Sequence, residues 1–207
     1  MPLGAFKAGL MGASGATAAG DVVLIEEISG TGVSEFLFDS GIDSTYGEYI
    51  FGIYNINPSG NGVDFKFHAT TDGTNYTVPH VHSYFKSEHS EDDDDVEAIA
   101  YDTGYDSLNV DGNLAVIAIP IMREIGNGAD ESGSGILHLW NPASTTYAKH
   151  YTSECINYNY TSGSIPNVAH HSFVGGYFNT TSAITKIKFT LGAGGTMDGE
   201  IKLWGVK

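Results

Sequence analysis

The chain has 207 residues, a formal net charge of −16 and 27 glycines, and 12% of its residues are aromatic. Aromatic-rich segments broken by glycine, with few helix-forming residues, indicate an all-β protein. The excess of acidic residues repels phosphates and anionic lipid headgroups, so we expect neither a nucleic acid nor a membrane as a partner.

The first twenty residues are mostly glycine, alanine and serine, among which a few large apolar side chains stand alone. So little apolar area cannot form a core of its own. Lys7 and the small residues faintly resemble a signal peptide, but glycine and serine interrupt the apolar part, so we expect that the chain is not secreted. We predict that residues 1–20 form an extended arm for assembly, and its four candidate anchors are Leu3, Phe6, Leu10 and Met11.

From Asp21 onward, apolar and polar residues alternate in short segments, of which residues 63–69 are the clearest. Alternation predicts β-strands, because successive side chains of a strand point to opposite faces. Residues 29–32 predict a hairpin turn between the first two strands, and Pro79 predicts an edge strand. Eleven to thirteen such segments predict a single antiparallel β-sandwich domain over residues 21–207, jelly-roll-like, with a β-barrel as the second choice.

The densest group of carboxylates lies in a polar segment after Ser90. Oxygen ligands of this kind suit Ca²⁺, so a calcium site is one interpretation and a solvated loop is the other. The spacing of two aspartates and Glu97 also echoes the paired carboxylates of sandwich-fold glycosidases. The candidate calcium ligands are Asp92, Asp93, Asp94 and Asp95.

His80 and His82 lie two residues apart on a predicted strand, so their imidazoles share one face. This spacing can bind a transition metal, and ordinary surface histidines are the alternative. We predict no other cofactor. The single cysteine, Cys155, cannot form an internal disulfide. The sequence contains no nucleophile elbow, phosphate-binding loop or dinucleotide motif, so we predict that the protein is not an enzyme.

The C-terminal region has a regular pattern. Residues 183–191 read AITKIKFTL, residues 199–207 read GEIKLWGVK, and a glycine-rich turn separates them. We predict that the two segments pair as a closing hairpin. Phe189 and Trp204 would anchor this hairpin in the core, as large aromatic side chains commonly do.

These two segments, together with the opening MPLGAFK, resemble the termini of small virion proteins of marine phages, of the head-decoration and tail-fibre-like types. The resemblance implies a virion surface protein, made in the host cytoplasm, whose partners are other virion proteins such as the capsid shell or tail. It also implies a homo-oligomer, with a trimer among the expected states. The alternatives are a carbohydrate-binding module and, third, a sandwich-fold polysaccharide hydrolase.

The uneven distribution of charge adds to this expectation. Of the 25 acidic residues, 22 lie between Asp21 and Glu131, whereas five of the nine basic residues follow Ser132. A surface that carries both signs in different places suits contacts between copies of the chain.

Overall fold

A computed structural model describes residues 21–91, 97–104, 107–108, 118–159 and 168–207. Within these ranges the regular structure consists of strands, and no helix is long and apolar enough to cross a membrane. The strands of the described residues are β1 Val22–Val33, β2 Glu35–Phe38, β3 Glu48–Pro58, β4 Val63–Thr70, β5 His80–Ser90, β6 Glu97–Tyr101, β7 Ser107–Leu108, β8 Ile119–Ile125, β9 Gly133–Trp140, β10 Lys149–Asn159, β11 Val168–Phe178, β12 Lys186–Leu191 and β13 Met197–Val206.

The strands form two packed layers of one antiparallel sheet. The large layer has the order β1-β13-β3-β9-β10-β11-β5, and both β6 and β7 pair with the far side of β5. The small layer has the order β8-β4-β12-β2. The two layers join where Asn159 of β10 pairs with Ile125 of β8, so the sheet is nearly closed into a barrel-like shape. The predicted all-β, antiparallel sandwich is therefore confirmed, and the jelly-roll topology stays a prediction.

An aromatic core fills the space between the layers. Phe189 of β12 stacks on Phe65 of β4 at 5.6 Å between ring centroids, and its ring meets Phe51 of the large layer edge-on at 5.5 Å. Edge-on and offset ring pairs are favourable arrangements for buried aromatics. The inward side chains of β4 and β12 follow the predicted alternation, because residues 63, 65, 67 and 69 and residues 187, 189 and 191 are all buried.

Both predicted hairpins are wrong. β1 continues through residues 29–32 and pairs with β13, whereas β2 pairs with β12 in the other layer. Likewise, β12 and β13 lie in different layers and do not pair with each other. Glycines at these corners adopt positive φ values, 65° at Gly32 and 76° and 95° at Gly194 and Gly195. This left-handed backbone is open to glycine and lets the chain cross between layers instead of turning within one.

Three local expectations also change. Pro79 lies just before β5, which is paired on both sides and is not an edge strand. The sequence pattern of residues 145–160 predicts two strands, 145–151 and 154–160, whereas the structure has one continuous strand, β10. Trp204 is only partly buried, and its ring lies over Gly52 on the outer face of the large layer, so of the two predicted anchors only Phe189 lies in the core. The outward position of Trp204 follows from strand alternation, because its neighbour Leu203 faces inward.

Candidate functional site

Two sets of predicted site residues lie outside the described residues. The arm anchors Leu3, Phe6, Leu10 and Met11 belong to residues 1–20, and Asp92, Asp93, Asp94 and Asp95 belong to residues 92–96. The assembly arm and the calcium site therefore stay predictions. The glycosidase-like spacing includes the same aspartates, and its last residue, Glu97, begins β6 with an exposed side chain.

His80 and His82 share one face of β5, as predicted, but that face points into the core. Both are buried, so the alternative interpretation as surface histidines is wrong. Their rings stack at 5.4 Å between centroids, and His80 Nδ1 lies 3.2 Å from the Val78 carbonyl. Burial lowers the pKa of His80, which favours the neutral imidazole. Among the described residues, no three His, Cys, Asp or Glu side chains gather into a metal site.

A buried polar cluster, consisting of Tyr84, Glu88, His170 and Ser172, lies on the inner face of β5 and β11. The Tyr84 hydroxyl is 2.5 Å from Ser172 Oγ and 3.1 Å from His170 Nε2. On its other side, His170 Nδ1 is 2.9 Å from Glu88 Oε1. Tyr84, His170 and Ser172 are fully buried. We call these four residues the polar cluster.

The protons of the polar cluster can be assigned from its acceptors. The hydrogen bond from His170, with Lys86 as a second donor, lowers the pKa of Glu88 to about 2, so Glu88 is an ionised acceptor. His170 Nδ1 can then donate to Glu88, and in that tautomer of the neutral imidazole Nε2 accepts from the Tyr84 hydroxyl. Ser172 can donate in turn to Tyr84. Burial raises the pKa of Tyr84, which keeps its hydroxyl protonated.

Two ion pairs extend the polar cluster toward the surface. Lys86 Nζ lies 2.8 Å from Glu88, and Arg123 Nη1 lies 2.7 Å from Asp102. Each of these side chains is largely but not completely buried. The attraction between paired charges of opposite sign offsets part of the desolvation cost of these largely buried ions.

The polar cluster is suited to holding strands together rather than to catalysis. The order carboxylate, imidazole, hydroxyl matches that of a proton relay. However, complete burial of Tyr84, His170 and Ser172 keeps a substrate away from the reactive atoms. No motif in the sequence predicted this cluster. The alternation of β11 could have revealed it, because His170 and Ser172 lie on the same side of the strand as the buried Val168 and Val174.

Two buried tyrosines offer a matched test of this polar cluster. Tyr84→Phe is expected to lower the free energy of unfolding by about 1–3 kcal/mol, since it strands buried groups of His170 and Ser172. Among the described residues, the Tyr151 hydroxyl has no hydrogen-bond partner. Tyr151→Phe is therefore expected to leave that free energy unchanged or to raise it by about 1 kcal/mol. Urea titrations of both variants measure the difference, and equal losses would contradict the assignment.

The polar cluster also predicts an acid dependence of stability. The pKa of Glu88 falls from 4.5 to about 2 on folding. A lowered folded-state pKa contributes stability that is complete above pH 4.5 and is lost as the pH falls toward 2. Glu88→Gln has no such group, so its melting temperature is expected to fall less between pH 5 and pH 2.5. Calorimetric scans across this range provide the measurement, and parallel curves for the two proteins would contradict it.

The outer face of the large layer carries an unusual amount of apolar surface. Register brings Tyr101, Phe85 and Phe173 side by side on β6, β5 and β11, and Ile136 follows on β9. In the next row along the strands, Ile99 is 91% exposed and Ile156 is 54% exposed. We call this surface the apolar outer patch, and its residues are Phe85, Ile99, Tyr101, Ile136, Ile156 and Phe173.

Few charges interrupt the apolar outer patch. Glu154 lies within it, and its carboxylate is 3.2 Å from His171 Nε2. A shallow groove of about 660 Å³ crosses the same strands. Small residues form part of the groove, and a Cβ on Gly175 would meet only Thr152, at 4.0 Å. The patch therefore offers an apolar surface crossed by a groove that is itself lined mainly by apolar atoms.

The chain matches no protein-family model, no curated protein and no solved structure. Among the described residues, the polar cluster lies in the core, whereas the apolar outer patch is a surface open to a partner.

Proposed function

We propose that the chain is a non-enzymatic structural protein of a phage virion surface, a capsid decoration protein or a compact tail-fibre-like component, which acts by assembly contacts. The observation that carries this proposal is the apolar outer patch on a chain with a net charge of −16. The resemblance of the two termini to phage virion proteins supplies the virion setting.

The exposed apolar surface of the patch is large. Its six side chains are 40–91% exposed and leave on the order of several hundred Å² in contact with water, since a single phenylalanine or tyrosine presents about 150–250 Å². Single exposed apolar residues are ordinary on a protein surface, but a contiguous patch above about 300–600 Å² commonly marks an interaction site. A sheet face of this kind is suited to a protein partner.

Detection in virus particles tests the proposal directly. Density-banded particles are probed with an antibody against this chain, and a host cytoplasmic enzyme serves as the contamination control. We expect the chain to band with the particles and to stay with them after a high-salt wash, because apolar contacts are not screened by salt. Recovery of the chain only in the soluble fraction would overturn the proposal.

The predicted arm can be tested in the same particles. A chain without residues 2–20 is expected to fold with a native-like β spectrum, because those residues carry too little apolar area to belong to a core. The same deletion is expected to reduce incorporation into particles, since an arm that orders on binding contributes affinity. Normal incorporation of the truncated chain would show that the arm is not required.

A carbohydrate-binding function is the second candidate, and the groove through the apolar outer patch favours it. The groove is bordered by the rings of Phe85 and Phe173 and offers hydroxyl and imidazole groups from Thr152 and His138. Aromatic rings beside a few polar groups are typical of ligand grooves. Binding on a glycan array, lost on Phe85→Ala, would support this candidate over the first.

A further inference from the structure

We propose that Asn127 is a site of self-modification, at which the backbone nitrogen of Gly128 attacks the Asn127 side chain and Glu131 accepts the proton of that nitrogen. The products are aspartate and isoaspartate at position 127. The inference goes beyond the proposed function and does not depend on it, because it concerns the loop between β8 and β9 and not the apolar outer patch.

The sequence contains the tripeptide Gly-Asn-Gly twice, at residues 60–62 and 126–128. A glycine after asparagine leaves its backbone nitrogen free to approach the side-chain carbonyl carbon, because no Cβ stands in the way. The two asparagines have the same residue on either side, so their intrinsic reactivity is alike. A difference between them in the folded chain therefore arises from the structure.

The structure places a base beside one of the two nucleophiles. Gly128 N donates to Glu131 Oε2 at 2.6 Å. At this distance a carboxylate can act as general base for the proton that it accepts. Gly62 N donates instead to the Ile125 carbonyl oxygen at 3.0 Å, and a backbone carbonyl does not take up a proton at neutral pH. Of the two sites, Asn127 is therefore the one whose attacking nitrogen meets a base.

The loop is built around the Glu131 carboxylate. Asn57 Nδ2 donates to the carbonyl oxygens of both Gly128 and Glu131, and Glu131 N donates to the Gly128 carbonyl oxygen at 3.1 Å. These hydrogen bonds hold the two ends of the turn together. A Cβ at either Gly126 or Gly128 would collide with the Glu131 carboxylate. The two glycines therefore let the base lie directly against the backbone that it serves.

The Asn127 side chain is exposed, which gives water access for the second step of the reaction. Its Nδ2 donates to the Ser59 carbonyl oxygen at 3.2 Å, and its backbone nitrogen donates to Asn61 Oδ1 at 3.3 Å. Asn61 is exposed as well. Access to water is therefore common to the two sites, and the base is what distinguishes them.

The reaction needs no reagent except water. Glu131 takes the proton from Gly128 N, this nitrogen bonds to Asn127 Cγ, and the bond from Cγ to Nδ2 breaks. The side-chain nitrogen leaves as ammonia with the transferred proton, and a five-membered imide remains. Water then opens the imide at one of its two carbonyl carbons, which gives aspartate or isoaspartate. The attack is intramolecular, so the nucleophile is already positioned next to its target.

The modification changes the contact between the two Gly-Asn-Gly loops. The Nδ2 donor to Ser59 is replaced by a carboxylate oxygen, so two acceptors face each other and this hydrogen bond is lost. A negative charge is also added beside Asp130 and Glu131. In the isoaspartate product, one methylene group lengthens the main chain of the turn.

Peptide mapping by mass spectrometry tests the inference on the full folded chain, incubated at neutral pH. We expect Asn127 to change from amide to acid about tenfold or more faster than Asn61, since general acid–base catalysis commonly contributes about 10²–10⁴-fold. In urea, which removes the base from its place, the two rates are expected to converge. Equal rates in the folded chain would overturn the inference, and so would a difference that persists unchanged in urea.

Glu131→Gln separates catalysis from restraint. The glutamine oxygen still accepts from Gly128 N, but it is not a base, so conversion of Asn127 is expected to slow by about tenfold or more. The rate at Asn61 in the same sample is expected to stay unchanged, which also reports that the variant is folded. The matched control is Asp130→Asn, at the exposed neighbouring carboxylate, which is expected to leave both rates as they are. If the carboxylate only held Gly128 in place, its loss would free the backbone; an unchanged or faster conversion in Glu131→Gln would therefore overturn the inference.

Discussion

Phe189→Ala is expected to destabilise the protein by about 3–5 kcal/mol, the range found when a fully buried phenylalanine is truncated. Phe189 is completely buried on β12, and its ring contacts Phe38, Phe51, Phe65 and Phe67. These rings belong to both layers, so their loss leaves a cavity that neither layer can close alone. Urea unfolding at neutral pH measures the free energy of unfolding.

The matched control is Phe173→Ala, which removes the same side chain from the outer face. Phe173 is 40% exposed, and we expect it to cost about 1–2 kcal/mol because only part of its area leaves water on folding. The same comparison places Trp204 with the outer residues, so Trp204→Ala is expected to cost less than Phe189→Ala. Equal losses for Phe189→Ala and Phe173→Ala would contradict the assignment of inner and outer faces.

His170→Ala is expected to be comparably damaging, at about 3–5 kcal/mol. His170 is 0% exposed and bridges Glu88 to Tyr84. Its removal leaves a largely buried carboxylate with one donor fewer and takes one hydrogen-bond partner from the buried Tyr84 hydroxyl, and breaking a buried pair on one side carries a cost of this size. Calorimetry and urea unfolding at neutral pH measure the loss.

The neighbouring histidine provides the control. His171 points to the outer face, where its side chain is about one third exposed and pairs with Glu154. His171→Ala is expected to change the free energy of unfolding by about 0.5 kcal/mol or less, as for other surface substitutions. A large loss for His171→Ala together with a small one for His170→Ala would show that the register of β11 is shifted by one residue.

Much of the fold was predictable, because strand alternation is a local property. The inward positions of β4 and β12 follow directly from the spacing of Val63, Phe65 and Phe67 and of Ile187 and Phe189. The pairing of strands was not predictable in the same way. A glycine-rich segment such as residues 29–32 permits both a hairpin and a crossing between layers, and its composition is the same in either case.

The histidines show where the sequence pattern stopped being informative. His80 and His82 lie on one face of a strand, as predicted. That face is the core, because the two histidines alternate in step with the buried Tyr84 although both are polar. The polar cluster was missed for the same reason. Polar residues at inward positions look like surface residues in the sequence until the strands that satisfy their hydrogen bonds are known.

By itself, the sequence determined the all-β class, the alternation of most strands and the acidic surface, since these depend on residues near one another in the chain. The tertiary structure alone decided which strands are neighbours, that Phe189 lies in the core while Trp204 lies outside, and that residues from β5, β6, β9, β10 and β11 form one apolar outer patch. The physical reason is that side chains far apart in the chain meet only after the layers have paired, and no local pattern records that register.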